Sequence, residues 1–401
     1  MSVIVQKFGG SSVADVPRLK GVARRVVETA RQGNQMVVVV SAMGDTTNQL
    51  MALAQEVTAS PPRRELDMLV SVGERISMSL LCMAIHDLGM EAISFTGSQS
   101  GILTNDRHAN ARILEVRPYR VQDELERGRV VIVAGYQGMS YRREITTLGR
   151  GGSDTTAVAL AAALGAERCE IYSDVDGVYS ADPRVVDAAR HLPEISYEEM
   201  QELSLAGAKV LNAQAVEFAK KAGVVIYARA TVDGRRETRV VVGGPPRRGA
   251  AGVAGARNLA RLQITGDAQT CADFAQTLEE WDVIPNQLSQ VSGCLTVLLS
   301  QELCPELEDL TKRFGARFQG RITVERDLCT ATVVGSGIGR NPRNLNRAIG
   351  VLRSAEVPVM GMDTSQLRLT FFTSPQCVNA GVAALHREFV ESAPGEPALD
   401  D

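Results

Sequence analysis

Residues 147–154 read Thr147-Leu148-Gly149-Arg150-Gly151-Gly152-Ser153-Asp154, and an Ala-rich run over 155–164 follows at once. Such a run suits a helix. Strands are expected before it at 129–134 and after it at 169–172, so the three glycines fall at a strand-to-helix junction. There, backbone N–H groups without intrahelical partners and the positive end of the helix dipole favour an anion. Ser153 and Asp154 can cap the helix. The guanidinium fork of Arg150 suits a carboxylate or a phosphate. From this stretch alone, a glycine-rich turn bearing a solvated arginine reads equally well.

The whole chain narrows the choice. Its 401 residues exceed what one hydrophobic core usually holds, which predicts two or three domains. With 44% hydrophobic and 22% charged residues it has an ordinary globular composition. A net charge of −4 argues against a nucleic-acid partner, which needs a basic face. No apolar run reaches the roughly 18–20 residues of a membrane span. A strand begins by Val3 with no signal or transit segment ahead of it, so a cytoplasmic protein without a membrane partner is expected. The seven cysteines are scattered without a Cys-x-x-Cys pair, the pattern of reduced thiols packed as small apolar residues. The four histidines share no metal-ligand spacing, and no metal-ligating residue is assigned.

Upstream, an apolar strand over 3–6 runs into Lys7-Phe8-Gly9-Gly10-Ser11-Ser12, and Asp15 with Pro17 opens an amphipathic helix to about residue 31. This is a second unit of strand, diglycine turn and helix. Lys7 stands at the carboxyl end of its strand, where open α/β sheets bind ligands, and beside a diglycine it reads better as a phosphate contact than as a surface charge. The apolar run 36–40 predicts a strand buried on both faces. It ends in the hydroxyl-rich loop Ser41-Ala42-Met43-Gly44-Asp45-Thr46-Thr47-Asn48. One helical pattern spans 66–88 and carries Glu74, which either pairs with Arg75 in solvent or faces a ligand. A helix over 121–127 and a short strand over 92–95 complete this half.

Downstream, Ser173-Asp174-Val175-Asp176-Gly177-Val178-Tyr179, with Asp182-Pro183-Arg184, lacks the ligand series of a calcium loop and fits a nucleotide loop better. Tyr179 offers a ring face and Arg184 a phosphate fork. Helices near 198–205 and 213–221 flank Lys209, and a strand over 224–227 closes the sheet. Residues 231–255, rich in Gly, Pro and Arg, read as a linker. Two β/α patterns follow: strand 260–264, helix 268–278 and strand 294–299, then strand 330–334, helix 344–353 and strands 357–360 and 367–372. Each resembles a βαββ unit of a ferredoxin-like sandwich.

These segments together resemble the aspartokinases of the amino-acid kinase superfamily. The matching pieces are Lys7-Phe8-Gly9-Gly10 with Ser12-Val13, the Ser41 to Asn48 loop, Ser71-Val72-Gly73-Glu74, the whole Thr147 to Asp154 string, the 174–184 loop and Gly207-Ala208-Lys209-Val210-Leu211. They stand in the family's order over nearly all of 1–230, and the 147–154 string separates aspartokinases from UMP, glutamate and acetylglutamate kinases. The resemblance implies an α/β fold with a mainly parallel central sheet and helices on both faces over 1–230. It places tandem ACT-like modules over 256–401 and implies a homodimer or higher oligomer through them. The implied reaction is phosphoryl transfer from ATP, with Mg2+, to the side-chain carboxylate of L-aspartate, at the entry to lysine, threonine and methionine.

By the same likeness Lys7, helped by the amides of Gly9 and Gly10, bridges the transferring phosphoryl oxygens, and Asp154 fixes that lysine. Arg150 clamps the α-carboxylate of the substrate and Glu74 its α-ammonium, while Ser41, Thr47 and Ser153 add hydrogen bonds. Ser173, Asp174, Tyr179, Arg184 and Lys209 fall where the family holds ADP. The carboxyl-terminal part matches less closely. The first module opens with Thr265-Gly266-Asp267-Ala268 in place of the family's Asp-x-Pro-Gly type of turn, and in the second Arg343 follows Pro342 where a glycine is usual. Feedback by lysine or threonine is therefore expected to be weak or absent. The competing expectations are an amino-acid sensor without catalysis, which would lose Lys7, Arg150 or Asp154, and a sister kinase for another carboxylate.

Overall fold

Gln35–Val40 is buried along almost its whole length, and Val37, Val38, Val39 and Val40 expose nothing. A strand covered on both faces has no polar alternation to show, which is why it reads as a continuous apolar run. It lies parallel to Val3–Phe8, which in turn is parallel to Arg168–Ser173, so that Lys7 stands opposite Val39 on one side and Ile171 on the other. The computed structural model describes residues 2–392 apart from 150, 233–235, 245–248, 282, 284, 302, 303, 305 and 306. It divides into two units, the first of 1–178, 191–204 and 209–245, the second of 179–190, 205–208 and 246–401.

The sheet of the first unit has eight strands, in the order Glu194–Ser196, Glu237–Val241, Ile226–Ala230, Arg168–Ser173, Val3–Phe8, Gln35–Val40, Val130–Ala134 and Ala92–Phe95. Every neighbouring pair is parallel except Ile226–Ala230 against Glu237–Val241. The helix Val16–Arg31 starts as expected: Asp15 accepts from the Arg18 amide at 2.9 Å and Pro17 sits in the first turn. Its buried residues Leu19, Val22, Ala23, Val26 and Val27 recur at helical spacing and pack with Met78, Leu81 and Ile85 of Val72–Asp87. The Gly152–Ala163 helix is buried from Gly152 through Ala161, so its alanines serve close packing all round.

Several local expectations change. The strand that enters the glycine turn is Ile145–Thr147, not 129–134. It belongs to a separate four-stranded sheet with Gln137–Ser140, Ile102–Thr104 and Ile113–Val116, whose strands of three or four residues are too short to show a period. The single helix over 66–88 is two, Arg63–Val70 and Val72–Asp87, broken at Ser71, whose hydroxyl turns back to the Met68 carbonyl at 3.0 Å. The combined stretch 63–87 is long and apolar enough by composition to cross a membrane, but its Met78, Leu81 and Ile85 face is used against the sheet. Strand 224–227 starts at Ile226, because the Val224 amide still closes the preceding helix onto Ala219, and two more strands lie beyond it. Within the span 231–255 expected as a linker, Glu237–Val241 is one of those strands and Gly252–Thr265 already begins the next sheet.

In the second unit the two β/α patterns share one antiparallel sheet, ordered Gln287–Val291, Cys294–Ser300, Gly252–Thr265, Ile322–Val334, Arg368–Thr373 and Gly361–Thr364. The two long central strands join the modules edge to edge. The second module's strand falls at Gly361–Thr364 rather than 357–360. Val357 is spent on the helix exit, its amide donating to the Leu352 carbonyl after Glu356 turns left-handed at φ 55°. Helices Leu307–Arg317 and Val378–His386 complete the covering layer, with cores around Phe274, Phe314 and Phe318 and around Leu352, Phe371 and Leu385. Residues 179–190 belong to the second core, to which they add Ala181 and Val186.

Ile85 is fully buried at the end of Val72–Asp87 remote in sequence from Glu74. Ile85→Ala is expected to destabilise the first unit by roughly 2–5 kcal/mol, read as a lower urea midpoint, with KM values of the folded enzyme unchanged.

Candidate active site

Lys7 ends its strand nearly buried, at 9% exposure, and its Nζ lies 2.6 Å from Asp154 Oδ1. The pair is close in distance but outside hydrogen-bond alignment, so it is an ion pair rather than a directed hydrogen bond. Asp154 occupies the first turn of Gly152–Ala163, where the helix dipole favours a carboxylate. Ser153 and Asp154 were expected as caps. The cap position belongs instead to Gly151, left-handed at φ 76°, with no side-chain cap, and a Cβ there would come within 2.3 Å of Asn212 Nδ2. Asp154 is thereby released to pair with Lys7.

Next to Lys7, the Gly9 amide donates to the Tyr172 carbonyl, and a Cβ on Gly10 would lie 3.0 Å from the Ala42 carbonyl and 3.2 Å from that of Gly44. The two strand-end loops approach backbone to backbone. Ser41 continues from the neighbouring strand, its amide on the Phe8 carbonyl and its carbonyl accepting from Ser77 Oγ at 2.7 Å. Thr47 is half-buried in the first turn of Thr46–Val57. Ser153 packs at Gly135, where a Cβ would fall 2.7 Å from its Oγ, and Gly135 hydrogen-bonds to Val40. Lys7, Gly9, Gly10, Ser41, Ser153 and Asp154 thus gather at the carboxyl ends of adjacent strands.

Glu74 joins them through the loop. Gly73 lets its helix approach so closely that a Cβ would be 2.7 Å from that of Ala42, and Glu74 Oε1 accepts from the Ala42 amide at 3.1 Å. The other oxygen, Oε2, is buried with no partner. Burial pushes the Glu74 carboxyl up to about 7, against the pull of its backbone hydrogen bonds. A buried acceptor without a donor is costly unless something supplies one.

The remaining expectations divide. Arg150 lies outside the described residues. Ser173 ends the Arg168–Ser173 strand, its Oγ accepting from the Val175 amide and its carbonyl from Thr231, and the exposed Asp174 follows it. Lys209 is exposed in the first unit. Tyr179 and Arg184 belong to the second unit, where Arg184 forks onto Asp182 at 2.8 and 3.0 Å and holds that carboxyl below the usual range.

Two buried networks were not anticipated. Glu170 is 1% exposed beneath the site; burial pushes its carboxyl up, but Arg229 and Arg168 cations and Gln6 hold it below the ordinary range. Tyr172 above it stacks on Phe8 at 4.8 Å. Asp67, fully buried, binds His108, Ala109 and Thr147. It stands seven residues before Glu74, across the helix break at Ser71, and nothing in the spacing alone marks it as buried.

Comparison with known proteins supplies the family. A model of the amino acid kinase family matches residues 2–228. The aspartokinases of Mycobacterium bovis and Corynebacterium glutamicum are 42% and 40% identical to the chain, over 97% of it and 96% of each of them. The chain belongs to the aspartokinase family. A crystal structure of E. coli aspartokinase III in complex with aspartate and ADP, in the R-state, matches with a TM-score of 0.86 at 25% identity, over 96% of this chain and 99% of that one. An aspartokinase must neutralise two anionic reactants, and the strand ends of this chain hold a nearly buried ammonium at Lys7 and a buried carboxyl oxygen without a partner at Glu74.

Because its folded pKa is raised, Glu74 costs stability as pH rises from the ordinary 4.5 through about 7. Glu74→Gln is therefore expected to raise the melting temperature at pH 8. It should also raise KM for an ammonium-bearing substrate by roughly tenfold or more, the scale of a lost charge-assisted contact. In the unaltered enzyme the same KM should climb as pH falls below about 7, where the carboxyl protonates.

Proposed function

We infer that this aspartokinase transfers the terminal phosphoryl group of ATP to the side-chain carboxylate of L-aspartate, giving 4-phospho-L-aspartate. The observation that carries the reading is the Lys7–Asp154 ion pair at the strand ends, together with the buried, unpartnered oxygen of Glu74. The acceptor carboxylate is already an anion at neutral pH, so no general base is required. Holding the reactants in line and compensating charge is the task that remains. Lys7 compensates the transferring group, and Asp154 holds its ammonium in place. Gly10 lets the 41–44 loop close against the end of the Lys7 strand, and the Gly9 amide is already spent on the Tyr172 carbonyl, so Lys7 rather than that amide meets the phosphoryl oxygens. Glu74 takes the α-ammonium and Arg150 the α-carboxylate, with Ser41, Thr47 and Ser153 donating further hydrogen bonds. Ser173, Asp174 and Lys209, all in the first unit, serve the nucleotide, and Tyr179 and Arg184, in the second, are assigned to it by the family resemblance alone. A guanidinium already held by Asp182 has to exchange that partner for phosphate.

Mg2+ fits as a companion of the nucleotide. Among the described residues no group of three His, Cys, Asp or Glu side chains could cage a metal, and a hard cation bound through phosphates needs only one or two carboxylates. Asp174, exposed at its strand end, is an oxygen donor of that kind. The charge Mg2+ supplies when bound adds to that of Lys7. Seven cysteines scattered without a Cys-x-x-Cys pair suit a reducing cytoplasm.

The second unit is proposed as a tandem ACT-like dimerisation region with weak or absent feedback. Its sheet has edge strands carrying exposed Leu288, Val291 and Met362, which favour a second copy. The helix starts where an amino-acid effector would bind are self-capped: Asp267 accepts from the amide and hydroxyl of Thr270, and Asn341 from the Arg343 amide.

Hydroxamate trapping of the acyl phosphate should give product with aspartate and not with glutamate or acetylglutamate. Lys7→Met should lower kcat by roughly 10²-fold or more; a variant within about threefold would remove Lys7 from this role. Lysine and threonine, singly and together, are expected to leave the rate unchanged up to about millimolar concentration, well above the micromolar range of a tuned effector site. Half-inhibition below that would overturn the feedback proposal.

A further inference from the structure

Asp67 is a fully buried carboxylate that the reaction above does not use. Its Oδ1 accepts from Thr147 Oγ1 at 2.6 Å and from the Ala109 amide at 3.0 Å, and its Oδ2 meets His108 Nδ1 at 2.7 Å. A carboxylate accepts only, so Nδ1 of His108 carries the proton in this pair. Burial raises the Asp67 carboxyl, against hydrogen bonds from Thr147, His108 and Ala109.

What these bonds hold is strained. Ala109 is left-handed at φ 69°, a conformation that a residue with a Cβ adopts only when its surroundings impose it. With that backbone fixed, Ala111 donates to the Thr147 carbonyl at 2.8 Å, and Asn110 Oδ1 comes so near Gly149 that a Cβ there would stand 2.7 Å away. Residues 108–111 are thereby laid along 147–149, the entrance to the turn that delivers Ser153 and Asp154. Asp67 also lies seven residues before Glu74, one helix break away. One carboxylate therefore ties the Glu74-bearing segment to the glycine turn.

We propose that Asp67 and His108 are a positioning pair for the amino-acid subsite: they set the distance between Glu74 and the strand exit at 147–149, and so the affinity for L-aspartate. This rests on the aspartate-kinase reading. The nucleotide side hangs on other strand ends, at Lys7, Gly9, Gly10 and Ser173, whereas Asp67 spends its hydrogen bonds on His108, Ala109 and Thr147, and Lys7 pairs with Asp154. The pair acts through geometry and is not catalytic.

The test is steady-state kinetics of the full chain carrying His108→Ala, Asp67→Asn, Thr147→Val or Thr147→Ser, with thermal melts alongside. His108 is partly exposed, so its variant keeps the fold even where Asp67→Asn does not. The expected result is a KM for aspartate raised about fivefold or more, the scale of one lost buried hydrogen bond, with KM for ATP and kcat within about twofold. Thr147→Ser should restore what Thr147→Val loses. An aspartate KM within about twofold of wild type in His108→Ala, or equal rises in both KM values accompanied by a lowered melting temperature, would overturn the proposal. Unaltered enzyme that fails to phosphorylate aspartate would instead count against the function on which it rests.

Discussion

A lysine and an aspartate nearly hidden from water, 2.6 Å apart, set the terms for the first unit. Lys7 comes from a central strand and Asp154 from the first turn of a buried helix more than a hundred residues later, so their meeting requires the parallel sheet and the packing of Gly152–Ala163. Neither charge is affordable there alone. Together they leave one site at the strand ends in which an ammonium is held ready without being exposed.

Around that pair the loops are shaped by what is missing. Gly10, Gly73, Gly135 and Gly151 stand where a Cβ would strike backbone or side chain, and each lets one element of the site come close to the next. Glu74 is the counterpart of Lys7 at the other end: a carboxylate kept dry, with one oxygen satisfied and one not. Pre-paid burial of this kind is how a site favours a charged ligand over water.

Much of this was legible in residues. The glycine turn, the lysine after an apolar strand and the loop after 36–40 each announce a strand end, and the order of these pieces resembles one family. Less was legible where the signal is geometric. Nothing in Ser153-Asp154 says that the helix would forgo a side-chain cap, and short strands such as Ile145–Thr147 carry no period. Glu237–Val241 hid within Gly- and Pro-rich surroundings, yet its ladder with Ile226–Ala230 makes it part of the sheet. Asp67 was missed because a lone carboxylate in an apolar helical run looks like an exposed residue until its neighbours are known.

The most direct measurement is a double-mutant cycle on kcat with Lys7→Met, Asp154→Asn and both together. If Asp154 acts by holding Lys7, the double variant will be no slower than Lys7→Met, within about threefold. Losses that multiply, each substitution costing its full factor in the presence of the other, would contradict the account.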